Sequence, residues 1–316
     1  MSALATLRQL QILLALREHG SVTAASAALY LTQPTVSMQL KNLTEKVGLT
    51  LYHHNGKNLQ FTDAGLEVLK TAQEVVDCFE HLDMRLNALK GLEAGKLRIA
   101  VVSTAKYFIP HLLGEFYKLH PNVEVNFSVG NRQQVIDRMM DNQDDFYVFT
   151  YPPKEVKQLI KIKFLDNPLV AIAHEHHPLT KQKRVKLKTF LELPFLLREQ
   201  GSGTRYAIEQ AMAKRDMQLN VRMIIESNEA IRHAVMSDLG VSILSAYTLV
   251  YGEDAGLEVL PVEGLPIHSQ WYLGYLGTKE LSPIAERFLE WVTTEGYKQL
   301  VKESQKVLKH KPNPKP

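Results

Sequence analysis

Hydroxyl, amide and guanidinium side chains recur in this chain where an apolar run gives way to a helical pattern. Ser103, Thr104 and Lys106 follow Leu97-Arg98-Ile99-Ala100-Val101-Val102. Asn131 and Arg132 follow the alternating stretch 123–129 and Gly130. Ser202, Gly203, Thr204 and Arg205 come after Phe195-Leu196-Leu197-Arg198, and Ser227, Asn228 and Glu229 after Met223-Ile224-Ile225. A helix start presents free backbone N–H groups and the positive end of the peptide dipole. Hydroxyls and an arginine placed there make a seat for a small anion. Taken singly, each cluster is also explained by helix capping. Four in one α/β body point to a cleft, and its expected occupant is a small anionic metabolite such as a phosphorylated sugar or a carboxylate.

A second set of polar residues lies near the N-terminus. Thr32-Gln33-Pro34-Thr35 opens a helical pattern in which Val36, Leu40, Leu43 and Val47 face inward and Gly48 supplies the stop. The outward face carries Gln33, Thr35, Ser37, Met38, Lys41 and Asn42. Glutamine can pair bidentately with adenine, Ser and Thr can donate or accept and touch the thymine methyl, and Lys41 suits a phosphate. A solvated polar face has much the same composition. What favours DNA is the ordered set around it. Leu7, Leu10 and Leu14 mark a first helix ending at His19-Gly20, and Ser21 or Thr23 caps a second, small-residue helix with Ala24, Ala25, Ala27 and Ala28. After the third helix, Leu51-Tyr52 and Leu59-Phe61 flank an Asn55-Gly56 turn. That order predicts a winged helix-turn-helix over residues 1–62, reading double-stranded promoter DNA through Thr32, Gln33, Pro34, Thr35, Ser37, Met38 and Lys41, with His54 and Lys57 in the wing.

Catalytic chemistry finds no such support. Gly201-Ser202-Gly203-Thr204 lacks the Gly-Lys-Ser/Thr of a phosphate loop, the third glycine of a dinucleotide fingerprint and the Gly-x-Ser-x-Gly elbow. His174-Glu175-His176-His177 is not His-Glu-x-x-His, since position 178 is proline, and reads as an exposed loop. Asp141-Asn142-Gln143-Asp144-Asp145 has Phe146 where a calcium loop needs glycine, and reads as a helix end. The one cysteine, Cys78, rules out a disulfide framework within one chain and is expected to be buried. No enzyme activity, metal or cofactor is expected.

The elements that carry these residues follow from pattern and charge. Leu66, Leu69, Ala72, Val76, Phe79, Leu82, Leu86 and Leu89 recur at threes and fours, which predicts a linker helix over 63–90 with a dimer seam. A helix packed on its own domain is the alternative. Gly91-Leu92-Glu93-Ala94-Gly95 reads as a hinge. The net charge of +3 is unevenly spread, with +3 on residues 1–62, −3 on 63–90 and +5 on 298–316. A basic head, acidic connector and mildly acidic body suit a nucleic-acid head on a ligand-binding body. The N-terminus lacks the basic and apolar regions of a secretory signal, and no window has 18 consecutive apolar residues, so a cytoplasmic protein with no membrane partner is expected.

The string TAASAALYLTQPTVSMQLKNLTEKVGLTLY, then FTDAGLEVL, the hinge and KLRIAVVST closely resemble the LysR-type transcriptional regulators through about residue 297. STAKYFIPHLLGEF, GNRQQV, DNQDDFYVFTYPP, REQGSGTR and SNEAIRHAV resemble the branch that regulates Calvin-cycle (ribulose bisphosphate carboxylase) operons. His54 stands where many members have arginine in the wing. Phe149-Thr150-Tyr151 replaces a smaller stretch, which implies a reshaped pocket floor that includes Thr150. The tail 301–316 has no counterpart. The resemblance implies an α+β multidomain chain: the winged helix-turn-helix, the long linker helix, and a C-terminal two-lobed α/β effector domain like the periplasmic binding proteins. That domain is expected over 96–300, with lobe I at 96–163 and 267–300, lobe II at 164–266, and a basic tail at 301–316. Homodimers through the linker helix, assembly to a homotetramer and contact with RNA polymerase are the implied partners. A regulator of nitrogen or amino-acid metabolism, or a cytoplasmic solute-binding α/β protein, remains open at this stage.

Overall fold

The computed structural model describes residues 4–55, 58–90, 94–250, 256–296 and 298. Two units result: the described residues up to 90 form one, and nearly all of those from 94 onward the other.

In the first unit, α1 (Leu7–His19) opens on a capping box in which Thr6 and Gln9 bond each other's backbone N–H groups. Its buried side is Leu10, Ile12, Leu13, Ala15 and Leu16, whereas Leu7 and Leu14 are only half-buried. Three other helices pack on α1. The buried arc is therefore wider than one stripe and rotated from the expected one. Ser21 caps α2 (Val22–Ala28), whose Ala25 and Ser26 are buried while Ala24, Ala27 and Ala28 face outward. Thr32 caps α3 (Gln33–Val47), Pro34 occupies its first turn, and Gly48 ends it at φ 75°. Val36, Leu40 and Leu43 join Ile12, Leu13, Leu16, Leu51 and Leu69 in one core. Each such side chain removed from water contributes about 1.5–3 kcal/mol.

β1 (Tyr52–Asn55) and β2 (Asn58–Phe61) form the expected hairpin, with Tyr52 opposite Phe61. Its tip, Gly56-Lys57, lies outside the described residues, so the role expected of Lys57 does too. His54 holds its strand position opposite Leu59, but its side chain is likewise outside the description. α4 (Asp63–Leu89) begins where Thr62 Oγ1 accepts the Gly65 N–H. A Cβ on Gly65 would lie 1.9 Å from the Leu51 carbonyl oxygen, so the helix approaches the strand start only because position 65 has no side chain. The expected seam divides in two. Leu69 and Ala72 are spent on the unit's own core, while Phe79, Leu82, Leu86 and Leu89 stay exposed at spacings of three and four. Cys78 adjoins that stripe and is exposed, contrary to expectation, because the helix presents this side outward. Residues 91–93 of the expected hinge are not described, and Gly95 already belongs to a strand.

The second unit is built on β3 (Gly95–Val102), a 3-10 turn Ala105–Tyr107, α5 (Ile109–Leu119), β4 (Val123–Gly130), α6 (Arg132–Met140), β5 (Phe146–Thr150) and the long β6 (Leu159–His174). A 3-10 turn Pro178–Lys181, α7 (Leu187–Leu191), β7 (Phe195–Arg198), α8 (Gly203–Ala213), β8 (Val221–Ile225), α9 (Asn228–Met236), β9 (Ser242–Ser245) and α10 (Tyr247–Val250) follow. β10 (Leu257–Val259), β11 (Ile267–Leu276) and α11 (Pro283–Thr293) complete it. One sheet runs β10-β6-β11-β5-β3-β4, with β9 also on β6, and β7 and β8 pair separately. β3 is parallel to β4 and β5, whereas β11 is antiparallel to β5 and β6. β6 pairs with β11 along its first two-thirds and with β9 and β10 at its end. The two lobes thus share a continuous strand, and the boundary expected at 163/164 falls inside it. Phe108, Tyr247 and Trp271 meet where the halves join, with Trp271 4.6 Å from each of the other two rings.

Candidate functional site

The carboxyl ends of β3, β4, β5 and β7 open into a small cavity. Val102, Ser103, Thr104, Arg132, Thr150, Asn167, Leu169, Ser202, Gly203, Thr204 and Ser269 line it. This is the place where parallel α/β sheets receive ligands, since strand ends and helix starts meet there. Seven of the lining residues were legible from sequence: Ser103, Thr104, Arg132, Thr150, Ser202, Gly203 and Thr204. Gly203 admits the close approach of α8, because a Cβ there would come within 2.8 Å of Thr150 Oγ1.

The lining carries one charge, that of Arg132, and no carboxylate. The guanidinium carbon lies 4.9 Å from the centre of the Tyr206 ring, a cation–π contact. Nη2 donates to the Tyr151 carbonyl at 3.4 Å, and Nε is buried with no partner among the described residues. Tyr151 holds φ 53°, a strained value for a side-chain-bearing residue, directly after Thr150. The hydroxyls have defined neighbours. Trp271 Nε1 donates to Thr104 Oγ1 at 3.4 Å, Arg198 Nη1 to Ser103 Oγ at 3.5 Å, and the Arg205 backbone N–H to Ser202 Oγ at 3.4 Å. On the opposite wall Asn167 Nδ2 donates to Ser269 Oγ at 3.1 Å and its Oδ1 accepts from Ser245 at 2.6 Å.

Five expected residues stand around the cavity and do not line it. Asn131 caps α6 through the Gln134 N–H at 3.0 Å and donates to Glu199 at 3.3 Å. Arg205 pairs with Glu209 at 2.7 Å. Asn228, buried, accepts from Arg198, whose guanidinium is held by Glu199 at 2.7 Å and is itself buried. Lys106 and Glu229 meet at 2.7 Å, and the Tyr107 hydroxyl donates to the same carboxylate at 2.6 Å. Burial works to raise the Glu229 carboxyl, but the bonds from Lys106, Tyr107, its own backbone and Ser227 outweigh it and hold the group at about 2. Burial, then the bond to Glu229, pushes the Tyr107 hydroxyl up. Capping by Ser202 and Ser227 is real, while Thr104 caps nothing.

Val102, Asn167, Leu169 and Ser269 line the cavity without having been expected. Asn167, in Asp166-Asn167-Pro168 just ahead of the apolar run 169–173, gave no distinctive signal in the sequence, and only the fold buries it. Ser269 is its cross-strand neighbour, a relation that only the β6–β11 register creates.

On the first unit, Thr32, Gln33, Pro34, Ser37, Met38 and Lys41 are exposed along one side of α3. Thr35 is half-buried, with its hydroxyl 2.8 Å from that of Thr32. Lys41 lies a loose 3.8 Å from Glu45. Tyr30, in the left-handed region at φ 53° just before α3, is 96% exposed and was not expected at the site. Among the described residues no helix is long and apolar enough to cross a membrane, and no group of three or more metal-ligating side chains gathers.

Residues 7–66 match the family described as bacterial regulatory helix-turn-helix protein, lysR family, and residues 90–296 the LysR substrate binding domain. The HTH-type transcriptional activator CmpR of Synechocystis sp. is 43% identical over 91% of this chain and 95% of its own length. A RuBisCO operon transcriptional regulator of Acidithiobacillus ferrooxidans is 39% identical over 91% of this chain and 93% of its own. Among solved structures, the CcmR regulatory domain of Synechocystis in complex with 2-PG is 41% identical, with a TM-score of 0.60 over 62% of this chain and 95% of that one. Full-length CbnR complexed with its target DNA has a TM-score of 0.65 over 91% of this chain and 99% of that one. At 19% identity its likeness is one of fold.

Proposed function

The chain belongs to the LysR family of bacterial transcriptional regulators, and from that premise we propose that its cavity binds a small phosphorylated or carboxylated metabolite that controls carbon-fixation genes. It is a DNA-binding regulator with an effector domain, not an enzyme. The observation that carries the reading is the cavity's make-up: Arg132, whose buried Nε has no partner among the described residues, surrounding hydroxyls, and no carboxylate among the lining residues. An oxyanion suits that set, and a cation or an acid needing an acceptor does not. Relatives named for the RuBisCO operon, and a similar regulatory domain solved with 2-PG, support 2-phosphoglycolate or a related carbon-fixation intermediate as the first ligand to test.

In this reading Ser103, Thr104, Arg132, Thr150, Ser202, Gly203 and Thr204 touch the ligand. Asn131, Arg205 and Asn228 hold the walls, and Lys106 and Glu229 clasp the rim. Gln33, Ser37 and Met38 face bases while Thr32, Pro34, Thr35, Lys41, His54 and Lys57 lie along the backbone. Paired α4 helices bring two heads to half-sites on cytoplasmic promoter DNA. The test is titration of the full chain with phosphorylated carbon-fixation intermediates, followed by promoter binding with and without the one that binds. Ligand binding that moves DNA affinity or footprint is expected. Promoter binding that no member of the panel alters would remove the carbon-fixation assignment and leave the regulator.

A further inference from the structure

We propose that Trp271 is a positioning residue for effector recognition: its indole N–H fixes the Thr104 hydroxyl as a hydrogen-bond donor toward the cavity, so that this wall favours an oxyanion. The inference rests on the reading of the cavity as the effector site. Trp271 does not line the cavity. It lies fully buried behind the lining, among Phe108 and Tyr247, on the strand where it stands opposite Thr150. One residue therefore braces two lining positions, Thr150 through the strand ladder and Thr104 through its side chain.

The polarity follows from which groups can only donate. An indole N–H, a guanidinium N–H and a backbone N–H have no lone pair to offer. Thr104 Oγ1 accepts from Trp271, Ser103 Oγ from Arg198, and Ser202 Oγ from the Arg205 backbone. Each hydroxyl has a single proton. With an acceptor position occupied by a fixed donor behind it, that proton is left for whatever fills the space in front. Three hydroxyls from two different segments are set in the same sense, around one arginine and with no carboxylate among the lining residues. A ligand ammonium brings protons only and has no lone pair for these hydroxyls, whereas an oxyanion accepts from all three. A hydroxyl already held in place pays no reorientation on binding, which is the preorganisation that makes fixed dipoles effective.

Packing alone would also keep Trp271 in place, so the test separates the N–H from the ring. The probes are 2-phosphoglycolate and inorganic phosphate, titrated calorimetrically into the full-length protein. Trp271→Phe removes the N–H with some of the ring. Replacing Trp271 by 3-benzothienylalanine removes the N–H and keeps the shape, and carries the test should Trp271→Phe fail to fold. Thr104→Val removes the hydroxyl. Each change is expected to weaken the tighter probe roughly three- to tenfold, with the melting temperature of the benzothienyl protein unchanged. Thr104→Val combined with the benzothienyl replacement is expected to bind no more weakly than Thr104→Val alone, since both act on one bond. Wild-type affinity in the benzothienyl protein, or losses that simply add, would overturn the role of Trp271 and leave the effector site standing. A wild-type protein that binds neither probe would overturn both.

Discussion

Gln33 and Glu229 show how differently two polar side chains at helix starts are used. Gln33 is exposed on the first residue of α3, beside the hydroxyl pair of Thr32 and Thr35. Nothing in the fold needs its amide. Gln33→Ala is expected to cost about 1–3 kcal/mol on the specific operator and little on random DNA, read by competition binding at fixed salt. Equal losses on both DNAs would mean that it reads no base. Glu229 opens α9 and is spent within the protein, on Lys106 and Tyr107. Its carboxyl sits at about 2 instead of the ordinary 4.5, so the stability it contributes is complete above about 4.5 and is lost as pH falls toward 2. Glu229→Gln is expected to flatten that stretch of the melting temperature against pH, and an unchanged slope would show that the carboxylate bonds add nothing. Both residues were visible in the sequence as polar groups at helix starts. Their partners were not, because Lys106 and Glu229 are more than a hundred residues apart.

At the scale of elements, α4 joins two jobs in one helix. Its first half belongs to the core of the first unit, through Leu69 and Ala72. That packing depends on Gly65, whose missing side chain lets the helix lie against the Leu51 carbonyl. Gly65→Ala pushes two backbone segments apart and is expected to destabilise the chain by on the order of 1–3 kcal/mol, seen as a lower melting temperature of the isolated protein. Its second half presents Phe79, Leu82, Leu86 and Leu89 to solvent with the spacing of a helix-pairing seam. Leu82→Lys places a charge in that seam and is expected to shift sedimentation toward the monomer without lowering the monomer's melting temperature. A variant that sediments as wild type would put the assembly surface elsewhere. The repeat of threes and fours was plain in the sequence. Which of its positions meet the core was not: Leu69 and Leu82 stand about 140° apart around the helix, and only the fold decides which of those faces is covered.

For the whole molecule, a body that binds a metabolite and a head that binds DNA are linked by free energy. If the ligand changes promoter affinity by some factor, promoter DNA must change ligand affinity by the same factor. Titrating the effector with and without operator DNA is expected to show that equality, and a ligand that moves DNA binding without reciprocal change would point to an effect outside this equilibrium, such as altered assembly. The charge distribution adds a second whole-chain property. The head is basic and the α4 segment acidic, so DNA affinity should fall with salt mainly through contacts of the head.

The sequence alone determined the helix-turn-helix, the hairpin, the linker helix and the alternation of strands and helices. Capping residues, period and turn chemistry act over a few residues, and they act the same way wherever the segment ends up. It also marked Ser103, Thr104, Arg132, Ser202, Gly203 and Thr204, because residues at strand ends and helix starts face a common edge, and the family resemblance added Thr150. Only the tertiary structure brought Asn167 and Ser269 into the cavity wall, set Trp271 behind Thr104, and spent Lys106 on Glu229. Those relations depend on which strands pair and in what register, and a slip of one residue would turn every side chain of β11 to the other face. Register is fixed by the packing of the whole sheet, so no local stretch of sequence contains it.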